Sequence, residues 1–294
     1  MLVPGIASLL ALADQRLPSG GHVHSGGIEQ AITEGLVTEV AGLERFLERR
    51  LRTTGLVTAG LAAAATVLSA SPQAPAHLAQ LDAEADARTP SPAQRIASRA
   101  QGRGLLRTAK AAWAAPSTTL SWTDLGARPH HPVVLGCACA AGGVSAQGAA
   151  LAAAYLSVSA PSTAAQRLLA LDPVSVAAVT VRLGPAIEQI AAAALLSWGS
   201  PDSGQPESHP GTNRTKTAEA GHNIPAHTPP GPPIGATPPQ QLDLTKADPA
   251  AVSTGPDQGA ADVLDLALLP DDSDPLLDLL AERHAAREER LFAS

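Results

Sequence analysis

Two histidines one residue apart, His22 and His24, stand between glycine pairs in the stretch LPSGGHVHSGGIEQ, and a carboxylate, Glu29, follows closely. Imidazoles at this spacing can ligate a metal ion, and His130, His131, Cys137 and Cys139 offer further donors. A His-x-His pair turns both rings to one side only in extended backbone, and the flanking glycines leave the backbone undetermined. Three readings stay open: a tight metal site at His22 and His24, a transient metal contact, and an ordinary glycine loop joining two helices. The turn and cap residues favour the loop. Cys137 and Cys139 fall in an apolar helical pattern about 200° apart around the axis, which suits buried small hydrophobes better than ligands.

A second pattern with chemical potential is the row Arg95, Arg99, Arg103 and Arg107, one every four residues. Such a row drifts by about 40° per step and forms a slanting stripe. Ile96, Leu106 and Trp113 share its sector, so the stripe reads as an arginine-rich contact surface, inside the fold or against a partner. Arg99 or Arg103 could reach a partner's nucleotide, but an ion pair within the structure or at an interface is the simpler role. The chain has no G-x-S-x-G, C-x-x-C or G-x-x-x-x-G-K-[ST] motif, so neither nucleophilic catalysis nor a phosphate-cradling loop is expected, and the chain reads as a non-enzyme.

The elements that must position these residues are helices. Aromatics are 2% of the 294 residues while alanine and leucine abound, and no stretch alternates with period two over a useful length. Helical patterns run over 6–13, then from a Ser25 or Gly26 cap to Gly35, from a Thr38 cap through Leu51, and over 55–69. They continue as a short acidic helix between the prolines at 72–75 and 89–92, a long one over 93–113, and shorter ones over 133–141, 145–158, 162–171 and 174–198. Asp172-Pro173 supplies a cap and first-turn proline for the last of these. The expected fold class is all-α, a single domain of about nine helices over 1–200.

Residues 201–241 hold ten prolines among Gly, Ser, Thr, Asn and His, which predicts a disordered Pro-rich linker over 201–262. An acidic tail, 263–294, ends in a helical pattern with Leu276, Leu277, Leu280, His284 and Leu291 on one face, which suggests a docking helix. Charge divides along the same line. Residues 1–200 carry 14 Lys and Arg against 12 Asp and Glu, and residues 201–294 carry 6 against 15. A body so nearly neutral, poor in aromatics, argues against nucleic acid as a partner. The uncharged run 129–166 is interrupted by glycines near its middle, which favours two buried helices over a membrane span. The N-terminus lacks a basic leader pattern, and the two cysteines cannot readily close a strain-free disulfide with each other. A cytoplasmic location is therefore the expectation.

Several segments together resemble the urease accessory protein UreF family. They are Pro18, Gly20, Ser25, Gly27 and Glu29 in the first loop, Ser98, Arg99, Gln101, Gly102, Arg103 and Leu105 in ASRAQGRGLLR, His131, Pro132 and Gly136 in HHPVVLG, and Arg182–Gly184 in VRLG. The terminus ERHAAREERLFAS completes the series with His284, Arg290, Leu291, Phe292 and Ser294. Two departures are the AIEQI sequence after RLGP and the long segment 201–262. The resemblance implies a non-catalytic maturation chaperone, homodimeric, that assembles with a UreD/UreH-type accessory protein and a UreG-type GTPase to insert nickel into apo-urease. It implies no tightly bound cofactor, nickel being handled by the complex, and a C-terminal segment that orders on meeting the UreD-type partner. It also implies partner-binding roles for Glu29, Arg99, Gln101, Arg103, His131, Arg182, His284, Arg290, Leu291, Phe292 and Ser294. A histidine-based nickel carrier using His22 and His24 is the alternative.

Overall fold

Alanine-rich helical periodicity, broken by Pro and Gly, predicts a set of helices, and the computed structural model is helical throughout. It describes residues 5–14, 16–17, 24–196, 265–287 and 291–292. The chain runs α1 (Ile6–Ala13), α2 (Ile28–Thr33), α3 (Val40–Arg50), α4 (Leu56–Leu68), α5 (Ala74–Ala87), α6 (Pro92–Ala112), α7 (His131–Ala141), α8 (Ala146–Leu168), α9 (Pro173–Arg182) and α10 (Gly184–Leu196). After residues outside the description comes α11 (Pro275–Ala285). No strand occurs among the described residues. The described parts of the body and of the tail belong to one compact unit. The expected linker over 201–262 lies outside the described residues.

Local chemistry sets most boundaries. Ser91, Ser145, Asp172 and Asp274 cap α6, α8, α9 and α11 through their side-chain oxygens, with a proline in the first turn of α6, α9 and α11. Four expectations need correction. The helix after the first loop is shorter than the expected nine residues and begins from Gly27 at φ 88°, while Thr38 gives way to Glu39 at the start of α3. The segments 145–158 and 162–171 form one helix, α8, with Pro161 inside it. The segment 174–198 is two helices, α9 and α10, which meet at Leu183–Gly184 with a 41° bend.

α4 lies at the centre, against α7, α8 and α10, and its buried face is largely alanine: Ala59, Ala62, Ala63, Ala64 and Ala65. Side chains this small bring backbones close together. Thr66 Oγ1 on α4 donates to Gly136 O on α7 at 3.1 Å, and a Cβ at Gly136 would overlap Ala62 O and come within 2.5 Å of Ala65 Cβ. The α3–α4 run, Val40–Leu68, is long and apolar enough to cross a membrane, yet 67% of its most apolar stretch is buried inside the fold. The uncharged run 129–166 forms α7 and α8, separated at Gly142–Ser145.

The close approach at Gly136 yields a prediction. Overpacking costs roughly 1–3 kcal/mol, and each kcal/mol moves the melting temperature of a domain this size by about 2–4 °C. Gly136→Ala should therefore melt several degrees below the wild type. Gly184→Ala, where a Cβ meets nothing within 4 Å, should not. Equal melting of the two variants by scanning calorimetry would show that α4 and α7 do not touch through their backbones.

Candidate functional site

The helix after the first loop carries Glu29 inward, 4% exposed, to where α11 crosses α2. His284, fully buried on α11, places Nε2 2.8 Å from Glu29 Oε2. Beyond the helix, the backbone N–H groups of Leu291 and Phe292 donate to Glu29 Oε1 and Oε2, both at 2.9 Å. Burial pushes the Glu29 carboxyl up, but these two N–H groups and His284 outweigh it, and the net shift is downward.

The rest of the tail is fixed by contacts of the same kind. Arg49 pairs with Asp274, Gln94 Nε2 donates to Asp278 Oδ1 at 3.0 Å, and Arg283 meets Glu34 at 3.0 Å. Glu282 accepts from Ser91 Oγ at 2.5 Å and from Ala93 N–H at 2.8 Å, so the tail also serves the start of α6. Leu277, Leu280 and Ala281 are buried against the body, and Phe292 packs against the same core. The expectation of a helix whose apolar face waits for another protein is therefore corrected for α11: that face lies on its own chain. Leu291 differs. Its backbone is tied to Glu29 while its side chain is 79% exposed.

The arginine stripe divides in the same way. Arg99 donates to Asp82 Oδ2 at 2.9 Å, Asp86 Oδ2 at 2.5 Å and Arg128 O at 2.7 Å. His130, 1% exposed, bridges Asp86 Oδ1 through Nε2 at 2.8 Å and Ser98 Oγ through Nδ1 at 3.0 Å, and its own N–H reaches Asp82. Burial lowers the His130 pKa, opposed by Asp86. Arg99 and His130 thus join α5, α6 and the start of α7. Arg95 donates to the Thr89 and Pro90 carbonyls, while Arg103 and Arg107 are exposed. Leu106 is buried and Ile96 is 62% exposed, so only part of the stripe faces outward.

Gln101, His24 and His131 line a cavity between α6, α7, α8 and α11. Burial, with His24 nearby, pushes the His131 imidazole down to about 4. Arg182 makes a two-pronged pair with Glu44 on α3, at 2.9 and 2.7 Å, and is half-exposed. Cys137 and Cys139 are buried, which pushes both thiols up to about 12. Among the described residues no three His, Cys, Asp or Glu side chains are grouped to hold a metal ion. His22, Arg290 and Ser294 lie outside the described residues.

Sequence reasoning missed Arg49, Arg50, Asp82, Asp86 and Asp274. One signal for Arg50 was present. Pro161 has no N–H, so the Ser157 carbonyl one turn earlier lacks its helical donor, and Arg50 Nε supplies one at 3.1 Å. Arg50 Nη1 donates to Gly26 O at 3.1 Å, which ties the first loop to α8.

With this geometry in view, comparison with known proteins gives a consistent result. The family model described as UreF matches residues 37–198. A protein named urease accessory protein UreF from Mycolicibacterium vanbaalenii is 54% identical over 189 residues, 64% of this chain and 85% of that protein. One of the same name from Mycobacterium marinum is 48% identical over 289 residues, 98% of this chain and 99% of that protein. A third, from Mycobacterium tuberculosis, is 50% identical over 191 residues, 63% of this chain and 83% of that protein. The Mycobacterium marinum match is too long to omit the Pro-rich segment, so that segment is shared with at least one relative.

The Glu29 clasp can be tested. Glu29→Gln replaces one acceptor oxygen with an N–H₂ group facing donors, at a cost of roughly 1–3 kcal/mol for a buried group left unsatisfied. Amide exchange at Leu280 and His284 should accelerate, and protease should cut the tail sooner. Unchanged protection of α11 would remove Glu29 from this role. Acid should act in the same direction: a carboxylate with a lowered folded-state pKa adds stability above its unfolded pKa of about 4.3 and loses it as pH falls through the folded value.

Proposed function

The chain belongs to the UreF family of urease accessory proteins, and from this premise we propose that it is a non-catalytic assembly factor in urease maturation. In this reading it holds a UreD/UreH-type protein and a UreG-type GTPase so that nickel enters apo-urease. It works in the cytoplasm as a homodimer, and nickel passes through the assembled complex as cargo.

The observation that carries the reading is the Glu29 clasp. Two segments that the resemblance marks, Glu29 near the start and His284, Leu291 and Phe292 at the end, meet across 255 residues of sequence in a buried hydrogen-bond cluster. A cluster of this kind fixes the backbone around Leu291 and holds its side chain outward, 79% exposed. An apolar side chain on an immobilised backbone binds at little entropic cost, as an interface anchor requires. Arg103, exposed on α6, is a candidate contact for a charged partner surface, whereas Arg99 and Arg182 already have carboxylate partners in this chain.

Co-expression with the other urease maturation proteins tests the proposal. Deleting residues 285–294 removes Leu291 and Phe292 but keeps α11 through His284. The truncated chain should remain folded by circular dichroism and lose co-purification with the UreD-type protein. Leu291→Asp in the full-length chain should weaken capture at least tenfold while leaving the melting temperature within about 1 °C, as expected for an exposed position. Full capture by both variants would remove the tail from the interface.

A further inference from the structure

Arg50 is a charged group for which the fold supplies only half of what a guanidinium needs. It ends α3, directly before the π-turn Leu51–Gly55, and its side chain runs inward between the first loop and α8. Among the described residues its hydrogen-bond partners are two backbone carbonyls, Ser157 O on Nε and Gly26 O on Nη1, each at 3.1 Å. No carboxylate among the described residues pairs with it. Burial unrelieved by any neighbouring negative charge lowers its pKa to about 10. Carbonyl dipoles satisfy individual N–H groups but leave a unit of charge uncompensated in the interior, an arrangement proteins seldom leave empty-handed.

Four carboxylates line the cavity that Arg50 also lines: Asp274 is paired with Arg49, Asp278 accepts from the Gln94 amide, Asp14 is held by Arg16, and Asp272 is exposed. This cavity measures about 180 Å³, and its wall includes His24, Thr54, Gln101 and His131, with the exposed Asp272 and Ser273 in the segment before α11. A single water needs only roughly 10–15 Å³ of such space, so the cavity has room for a polyatomic ligand. Gly26 contributes to this room, since a Cβ there would press on Arg50 Cζ at 3.2 Å. The remaining wall combines aliphatic side chains, among them Val57, Leu61, Leu135 and Leu156, with polar ones such as Arg88, Gln94 and His130.

We propose that this cavity is a binding site for a small oxyanion, a carboxylate or phosphate group, seated on the free edge of the Arg50 guanidinium. Two oxygens of such a group match the fork of N–H donors, and the anion supplies the charge that the chain withholds. The site lies under α11, so an occupant would contact both the first loop and the tail helix from within.

The test is the melting temperature of the full-length chain at constant ionic strength, with sodium acetate or sodium phosphate replacing sodium chloride stepwise. Acetate and phosphate distinguish a planar from a tetrahedral ligand. One of them should raise the melting temperature along a saturable curve, by roughly 5–10 °C at about a hundredfold excess over its Kd. Arg50→Met should abolish that rise. Arg50 also ties two backbone segments; where its loss prevents folding, Thr54→Asp decides. Thr54 lines the same cavity one turn along, and a carboxylate there supplies the missing charge from the chain itself, so its melting temperature should no longer respond to either anion. The proposal is overturned if neither anion raises the wild-type melting temperature beyond the chloride control, which would make Arg50 a clamp on two carbonyls and nothing more. It is equally overturned if the rise persists in a folded Arg50→Met or in Thr54→Asp.

Discussion

The core of this protein is built from side chains too small to hold helices apart. Alanine lines the buried faces of α4 and α8, so neighbouring backbones come within a methyl group of one another. Close packing of this kind is dense and leaves little tolerance. Gly136 faces the Ala62 carbonyl, Gly102 faces the Pro129 carbonyl, and at Gly60 a Cβ would come within 2.7 Å of Pro270 Cδ in the segment leading to α11. At each of these places glycine is required by proximity, not by backbone conformation. An alanine core also buries less apolar surface per residue than one of leucine and phenylalanine, so polar contacts take a larger share in fixing which helix lies where.

Those polar contacts sit at the junctions between helices, loops and the tail. Arg99, Asp82, Asp86 and His130 join α5, α6 and α7, and Arg50 joins the first loop to α8. Glu29 joins α2 to the tail. Each junction satisfies backbone groups that a loop or helix end has left open: the Arg128, Ser157 and Gly26 carbonyls, and the Leu291 and Phe292 N–H groups. Arg49 and Arg50 are adjacent in sequence and divide this work, one turned outward to Asp274 on the tail and the other inward to the loop.

Most of the helical content was legible because it depends on local chemistry. The caps at Ser91 and Asp172, the prolines at helix starts and the uncharged run that became α4 act within a turn or two of the chain. The errors lie where a local rule was met by a distant partner. Pro161 reads as a break between two helices, and it would be one if the Ser157 carbonyl had no donor, but Arg50 supplies that donor from 107 residues away. The two histidines of the first loop drew attention by spacing alone, whereas the residue there with a demonstrable role is the carboxylate five positions after His24. Its signal lay only in the family pattern. Helical periodicity placed His284 on the apolar face of the tail correctly, but could not say that this face belonged to its own body.

The form of the Glu29 contact explains why a carboxylate serves there better than an apolar or amide group. Consecutive backbone N–H groups at Leu291 and Phe292 both point to one spot, and a histidine nitrogen approaches the same spot from the helix. Three donors converging on a buried point need an acceptor with two oxygens and no donor of its own, and among side chains only an ionised carboxylate meets that condition. An apolar seat would hold the tail but let it slide, since hydrophobic contact is non-directional. Hydrogen bonds to two successive N–H groups fix the register to one residue. That register decides that Phe292 packs against the core while Leu291 points to solvent, and a slip of one position would put Phe292 in the solvent-facing place or Leu291 in the core-facing one. The surface offered at this end of the molecule is thus specified by one buried carboxylate on a six-residue helix.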